Sequence, residues 1–278
     1  MRAIRTPTIG TPIEPPPNGA RGACAGAESG APGGVAGAEH DLSYSVRRAF
    51  VDAFFERRVT ALSRGSRVLD LGGLKGAKRG RFNLAAYDLR VTVANISARA
   101  EPDVVCDSAR VPLPDGSFDA VVLGEVVEHL HDPGATITEC ARLLRRGGEF
   151  LATAPFMFRI HPDPIDVGRY APDWWTRTLG GAGFERIEIE RQGAMLSVLA
   201  EIVRGWVYHL EGRRAFWPGA RPLALDGVRW LRRLAERWEA SPEFRDQEYY
   251  ASFTTGLGVR AIRGGPRGDA RASGAVGA

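Results

Sequence analysis

The run Arg67-Val68-Leu69-Asp70-Leu71-Gly72-Gly73 constrains this chain more than any other segment. A short apolar stretch that ends in paired glycines reads as a buried strand entering a tight turn. The same unit recurs along the chain. Residues 90–94 read as a second strand, 103–106 as a short third, and Phe118–Leu123 as a fourth, after the turn signal Pro114-Asp115-Gly116-Ser117. Residues 149–154 are a fifth strand, 184–190 alternate as a sixth, and 252–262 supply a seventh. Helices are expected between them. Asp41 is predicted to cap one through about Leu62, with Val46, Phe50, Ala53, Phe54 and Val59 at helical spacing. Asp132-Pro133 starts another, with Ile137, Cys140, Ala141 and Leu144 on one face and Gly147 at its end. Residues 173–182 make a third. This alternation predicts an α/β fold: a doubly wound, seven-stranded, mostly parallel sheet.

A long stretch, 193–250, separates the sixth and seventh strands and is expected to be a helical insert. Residues 195–210 are apolar nearly all round. In 222–238, Leu225, Val228, Leu231, Leu234 and Trp238 oppose Arg229, Arg232, Arg233 and Arg237. Residues 1–40 and 264–278 are rich in Pro, Gly and Ala and are expected to be disordered tails. One domain over 41–263 remains, which suits a chain of 278 residues.

Composition excludes several functions. A net charge of +4 is small for this size and makes no case for a nucleic-acid binder, which would show a clustered basic face. Only Lys75 and Lys78 are lysines, and neither lies in a GxxxxGK[ST] phosphate loop. Cys24, Cys106 and Cys140 are scattered and odd in number, forming neither a disulfide framework nor a metal knuckle. A reducing, cytoplasmic location is expected. Arg2 and Arg5 are followed by Pro, Thr and Gly instead of an apolar core, so no secretory signal is expected, and no run of 18 apolar residues exists.

The glycine loop carries chemistry. Glycines allow a tight turn and let a ligand approach free backbone N–H groups. Alone, the loop fits a nicotinamide enzyme or a plain turn as well. At the end of the second strand, where nucleoside-binding folds place a carboxylate against ribose hydroxyls, this chain has Asn95. Asp107 follows the third strand, and Glu125, Glu128 and His129 follow the fourth.

Taken in order, Asp70-Leu71-Gly72-Gly73, CDSARVPLPDGSFDAVV (106–122), GEVVEHLHDP (124–133) and RLLRRGGEFLATAPF (142–156) resemble class I S-adenosylmethionine-dependent methyltransferases across about 67–190. His161-Pro162-Asp163-Pro164-Ile165-Asp166-Val167-Gly168-Arg169-Tyr170 is similar to the H-x-x-P-x-D-x-x-R-Y loop of a type 11-like subgroup linked to sugar or polysaccharide modification. The resemblance implies S-adenosyl-L-methionine as cofactor and a Rossmann-like methyltransferase fold. It places Asp70, Gly72, Gly73 and Gly76 around the methionine moiety, and Asn95 and Ile96 at ribose and adenine. Asp107 and Ser108 would close on the adenine edge, and Glu125 would face the sulfonium. Two features depart from the pattern: Asn95 stands where an acidic residue is usual, and Leu74 and Lys75 are bulky. A non-catalytic S-adenosylmethionine-binding relative therefore stays open beside the enzyme.

His161 is the candidate base, with Asp166 beside it and His129 as a second candidate. The competing reading makes His161, Asp166 and Arg169 a cluster that only holds the loop, and His129 a packing residue. Arg169 and Tyr170 are candidate substrate contacts. Glu128, His129 and His131 lack a completing ligand at a metal-site spacing, so no metal is expected. The expected activity is O-methylation of a sugar or glycan-type hydroxyl, with a quinone or natural-product acceptor as the alternative. A nicotinamide oxidoreductase would lack GxGxxG, an acidic residue at 95 and a Tyr-x-x-x-Lys pair. Expected partners are a small-molecule or glycan acceptor. The Trp- and Arg-bearing helices of 193–240 suit a peripheral membrane contact or a homodimer, against the plainer reading of a solvated face.

Overall fold

The structure, a computed structural model, describes residues 42–75, 80–161, 165–211, 220–245 and 247–265. The segments 1–40 and 266–278, read above as tails, lie outside them, as do Asp41, Gly76, Pro162, Asp163 and Pro164.

Seven strands form one sheet: β1 (Arg67–Leu71), β2 (Arg90–Asn95), β3 (Val104–Val105), β4 (Phe118–Gly124), β5 (Leu144–Pro155), β6 (Phe184–Gln192) and β7 (Gly256–Arg263). Their order is β3-β2-β1-β4-β5-β7-β6. β1 pairs in parallel with β2 and β4, whereas β7 runs antiparallel to both β5 and β6. Five helices of ten or more residues accompany the described strands: α1 (Val46–Thr60), α2 (Pro133–Leu143), α3 (Pro172–Gly181), α4 (Met195–Glu211) and α5 (Ala220–Glu239). None of the described helices is long and apolar enough to cross a membrane.

Strand alternation assigns the two faces. Val68, Ala120, Val122 and Leu151 point to one side, where α1 covers them with Val51, Phe54, Phe55 and Val59. Leu69, Leu71, Val121, Leu123 and Phe150 point to the other and pack with Ile137 and Leu143 of α2 and with Trp175 and Leu179 of α3. Both faces are thus buried, which explains the near-continuous apolar strands.

Element boundaries shift where local chemistry competes. The first helix starts at Val46, because the Ser45 hydroxyl accepts from the Arg48 N–H, and it stops at Thr60 instead of continuing to Leu62. Asp132 caps α2 as expected, accepting from the Ala135 N–H at 2.9 Å. That helix ends at Leu143, however, and Leu144 pairs with Phe118 in the sheet. The last strand begins at Gly256, four residues later than read from the sequence, because Glu248–Ala251 forms one helical turn.

The 193–250 stretch holds α4 and α5, and two carboxylates tie it down. Glu201 of α4 accepts from the Val46 N–H at 2.8 Å, satisfying the start of α1, and pairs with Arg204. Glu239 of α5 accepts from the N–H groups of Ala194 and Ser197 at 2.9 and 2.7 Å. The outward faces mix charged residues with exposed tryptophans. Trp206, Trp230 and Trp238 are 63%, 60% and 56% exposed, so Trp238 is not the packed residue its helical position predicts.

Two stability outcomes follow. Glu201→Ala removes the carboxylate partner of the largely buried Arg204 guanidinium and the acceptor of two helix-end N–H groups, which should cost about 3 kcal/mol in urea denaturation. The second concerns acid. Burial pushes the Asp119 carboxyl up, but Arg145 and the Arg67 N–H outweigh it and hold it below its ordinary range; the Arg142 hydrogen bond does the same for Glu139. Groups depressed by folding contribute stability above the unfolded carboxylate range near about 4 and lose it as pH falls below. Asp119→Asn should therefore lower stability at neutral pH and narrow the gap between urea midpoints at pH 7 and pH 3.

Candidate active site at the carboxyl edge of the sheet

The sheet order reverses between β1 and β4, and their carboxyl ends therefore open a crevice. The glycine loop leaves β1 there, and Glu125, Glu128 and His129 leave β4 beside it. A Cβ on Gly72, whose φ is +84°, would lie 2.6 Å from Val126 Cγ2. A Cβ on Gly73 would lie 2.1 Å from the buried Asp70 carboxylate. Both glycines are therefore demanded by the loop's own packing. The Lys75 ammonium turns back to pair with Asp103, so its bulk is directed to the β2–β3 connection.

Asn95 takes a role the sequence did not suggest. Its amide donates to the carbonyls of Gly72 and Gly73 at 3.1 and 2.9 Å, and its Oδ1 accepts from the Ser97 N–H at 2.9 Å. The residue at the usual ribose position thus holds the glycine loop in shape. A carboxylate could not donate these bonds. Ile96, next to it, is 73% exposed and offers an apolar face at the same edge. Asp107 is exposed and caps its own turn by accepting from Ala109 N–H, whereas Ser108 is tied to Thr136 of α2 at 2.9 Å.

Glu125 ends β4 with a φ of +54°, a costly conformation for a residue with a side chain. Arg47 of α1 holds it there: both carboxylate oxygens accept from the guanidinium, Oε2 at 3.2 Å from Nε. Burial pushes the Glu125 carboxyl up, but the neighbouring Arg47 charge prevails and keeps it ionised. The third guanidinium nitrogen donates to Gln192 Oε1 at the end of β6. Glu125 is therefore the fixed partner of a buried cation. Neither Arg47 nor Gln192 was legible as a site residue, because each reaches the β4 terminus only through tertiary packing.

Beyond Glu125, the next turn presents Glu128 and His129. Glu128 is fully buried, and neither of its oxygens has a hydrogen-bond partner among the described residues. Its Oε1 is 3.7 Å from His129 Nε2 and 3.8 Å from His161 Nε2. The two imidazole centroids are 5.3 Å apart. His161 comes from the loop after β5, held by the Val167 N–H donating to the Glu128 carbonyl at 2.7 Å. Burial raises the Glu128 carboxyl, and contact with Glu128 raises His161.

The loop-holding reading of Asp166 and Arg169 agrees with the geometry. Arg169 grips both Asp166 oxygens, and Asp166 accepts from the His161 backbone N–H at 2.9 Å. That hydrogen bonding with Arg169 takes Asp166 well below the usual carboxylate range. The same brace aims His161 at Glu128. Tyr170 stacks on Trp174 at 4.2 Å. His131 is exposed and stands apart from the cluster.

A Rossmann-like sheet with a glycine loop at its switch point is the fold of class I methyltransferases. Residues 69–152 match the family model described as a methyltransferase domain. Over 107 residues the chain is 37% identical to a "probable S-adenosylmethionine-dependent methyltransferase" of Mycolicibacterium smegmatis, covering 36% of this chain and 41% of that one. It is 40% identical over 104 residues to a ubiquinone biosynthesis O-methyltransferase of Xanthomonas oryzae pv. oryzae, covering 32% and 43%. The chain thus spans less than half the length of these relatives. Among solved structures, one assigned as a sarcosine dimethylglycine methyltransferase from Galdieria sulphuraria shares the fold with a TM-score of 0.50 and 16% identity, over 78% of this chain and 86% of that one.

The Asn95 geometry sets a specific outcome. Asn95→Asp removes two donors and sets a negative charge against two carbonyls, a loss of about 2 kcal/mol. S-adenosylmethionine affinity by calorimetry should fall at least about tenfold. Tighter binding would instead mean that residue 95 meets the ribose.

Proposed function

We propose that this chain is an S-adenosylmethionine-dependent methyltransferase acting on a hydroxyl oxygen of a small-molecule acceptor. The observation that carries the reading is the meeting of two features at one sheet edge. The glycine loop lies within the segment that matches the methyltransferase-domain model, and the buried Glu128 with His129 and His161 follows the adjacent strand. Bound S-adenosylmethionine supplies a methyl carbon already activated by its sulfonium.

The rest falls to the chain's own groups. The loop of Asp70, Gly72 and Gly73 would hold the methionine end, with Asn95 keeping the two glycine carbonyls turned away from it. Ile96 would cover one face of the adenine, and Asp107 would accept from its amino group. The charge of Glu125 is spent on Arg47, so this carboxylate shapes the strand end instead of receiving a proton. Acceptor activation falls to His161, whose Nε2 faces the buried carboxylate. Alignment by a rigid loop is the main contribution, because the donor carbon needs little further activation.

A sugar or glycan-type hydroxyl is the acceptor that the 161–170 loop favours. A phenolic hydroxyl of a quinone precursor is the second reading, favoured by the likeness to the Xanthomonas ubiquinone O-methyltransferase. Calorimetry with S-adenosylmethionine and NAD tests the cofactor: micromolar binding of the first and none of the second is expected. Turnover on nucleotide sugars and oligosaccharides against dihydroxybenzoates separates the acceptors. His161→Ala should lower turnover by roughly 10²–10⁴ with cofactor affinity near wild type. Loss of cofactor binding in that variant would reduce His161 to a loop brace. Binding without turnover on any acceptor would leave a non-catalytic relative.

A further inference from the structure

We propose that Glu128, His129 and His161 form a binding site for a divalent first-row transition-metal ion of the zinc type. The argument rests on which atoms face one another. His129 Nδ1 meets the carbonyl oxygen of Ile165. His161 Nδ1 lies 3.1 Å from the carbonyl oxygen of Arg159 and 3.3 Å from Asp166 Oδ2. Those neighbours accept, so each Nδ1 carries its hydrogen, and each ring in its neutral form turns an Nε2 lone pair inward. This is the second-shell arrangement that orients metal-ligating histidines.

Both lone pairs converge on Glu128 Oε1, at 3.7 and 3.8 Å. Those separations are too long for hydrogen bonds. Yet Glu128 is fully buried and both its oxygens lack a hydrogen-bond partner among the described residues. Three potential electron-pair donors thus face one another, within 4.8 Å in all. A cation resolves that conflict. Ligands bound at about 2.0–2.1 Å in a tetrahedral site stand roughly 3.3–3.4 Å apart. The two carboxylate–imidazole spacings exceed this by a few tenths of an ångström and all three donors lie within 4.8 Å of one another, a span that side-chain rotations close.

The donor set identifies the class of ion. Two imidazoles and one carboxylate suit zinc and its neighbours, whereas magnesium and calcium favour oxygen ligands. Glu125 is not available as a fourth ligand, because Arg47 holds both its oxygens. Three protein ligands leave at least one position open, and an oxygen ligand there becomes more acidic. On the methyl-transfer reading a hydroxyl acceptor would take this position, and with the ion bound His161 would act on it through the metal instead of taking its proton directly; the ion site itself does not rest on that reading. The expectation of no metal came from the spacing of Glu128, His129 and His131. The third donor is instead His161, delivered from the far side of β5.

The test uses the full chain, stripped with a chelator and titrated with Zn²⁺ against a chromophoric zinc indicator. One ion per chain with a submicromolar Kd is expected, undisturbed by millimolar Mg²⁺. His129→Ala and His161→Ala should each weaken binding by about a hundredfold or more. His131→Ala should leave it unchanged. Glu128→Gln, equal in size, should also weaken it, which keeps the test valid if a histidine variant fails to fold. Circular dichroism reports folding in each case. Co²⁺ in place of Zn²⁺ should give visible absorption that the same variants abolish. A folded wild type that binds no Zn²⁺ would overturn the site, as would binding that Glu128→Gln and His161→Ala leave intact. Neither readout uses S-adenosylmethionine, so failure here is distinguishable from failure of the methyltransferase reading.

Discussion

Arg47 is the buried cation around which the carboxyl edge of this sheet is organised. Its guanidinium takes both oxygens of Glu125 at the end of β4 and donates to Gln192 at the end of β6. It also occupies the space a Cβ would need at Gly256, where β7 begins. A charge this deep is tolerable only with full pairing. The pairing in turn fixes Glu125 in its left-handed conformation and directs the following turn toward Glu128 and His129. Because Arg47 lies in the first turn of α1, the Glu201 carboxylate from the 193–250 stretch also bears on this position. One ion pair thus links four elements that are far apart in sequence.

The glycine loop shows how a departure from an expected pattern is absorbed. A carboxylate at 95 would be the usual ribose partner, and this chain has Asn95 in its place. In the structure the amide holds two carbonyls that an acid would repel. Position 95 therefore contributes loop rigidity, and Lys75 adds to the same end through Asp103. The bulky residues of the loop are accommodated outside the crevice, where Leu74 is exposed and Lys75 is paired.

The loop after β5 serves as a brace and as part of the site together. Asp166 and Arg169 close it on themselves, and the Val167 N–H fastens it to Glu128. The result is a His161 whose ring is held on one side by carbonyl and carboxylate acceptors. Its other side faces the buried Glu128 carboxylate. Brace and reactive group compete as explanations only while the residue is seen alone.

The sheet was legible in the sequence because periodicity and glycine punctuation are local signals. Seven strands and the main helices lie within a few residues of where patterning placed them. The exceptions, Ser45 as a cap and Leu144 as a strand residue, reflect short-range competition between caps and pairing. The glycine loop, Glu128, His129 and His161 were legible as residues of interest from their motifs. Their partners were not. Arg47 reads as one of many arginines until α1 folds over β4, and Gln192 carries no motif at all. Which donors converge on Glu128 depended on the loop after β5 crossing back over the β4 end, because chain distance says nothing about lone-pair direction. The sequence by itself determined the alternation of elements, the buried faces and the loop chemistry. Only the tertiary structure decided which charges are paired, which are spent on architecture and which are left facing one another, since burial sets that outcome.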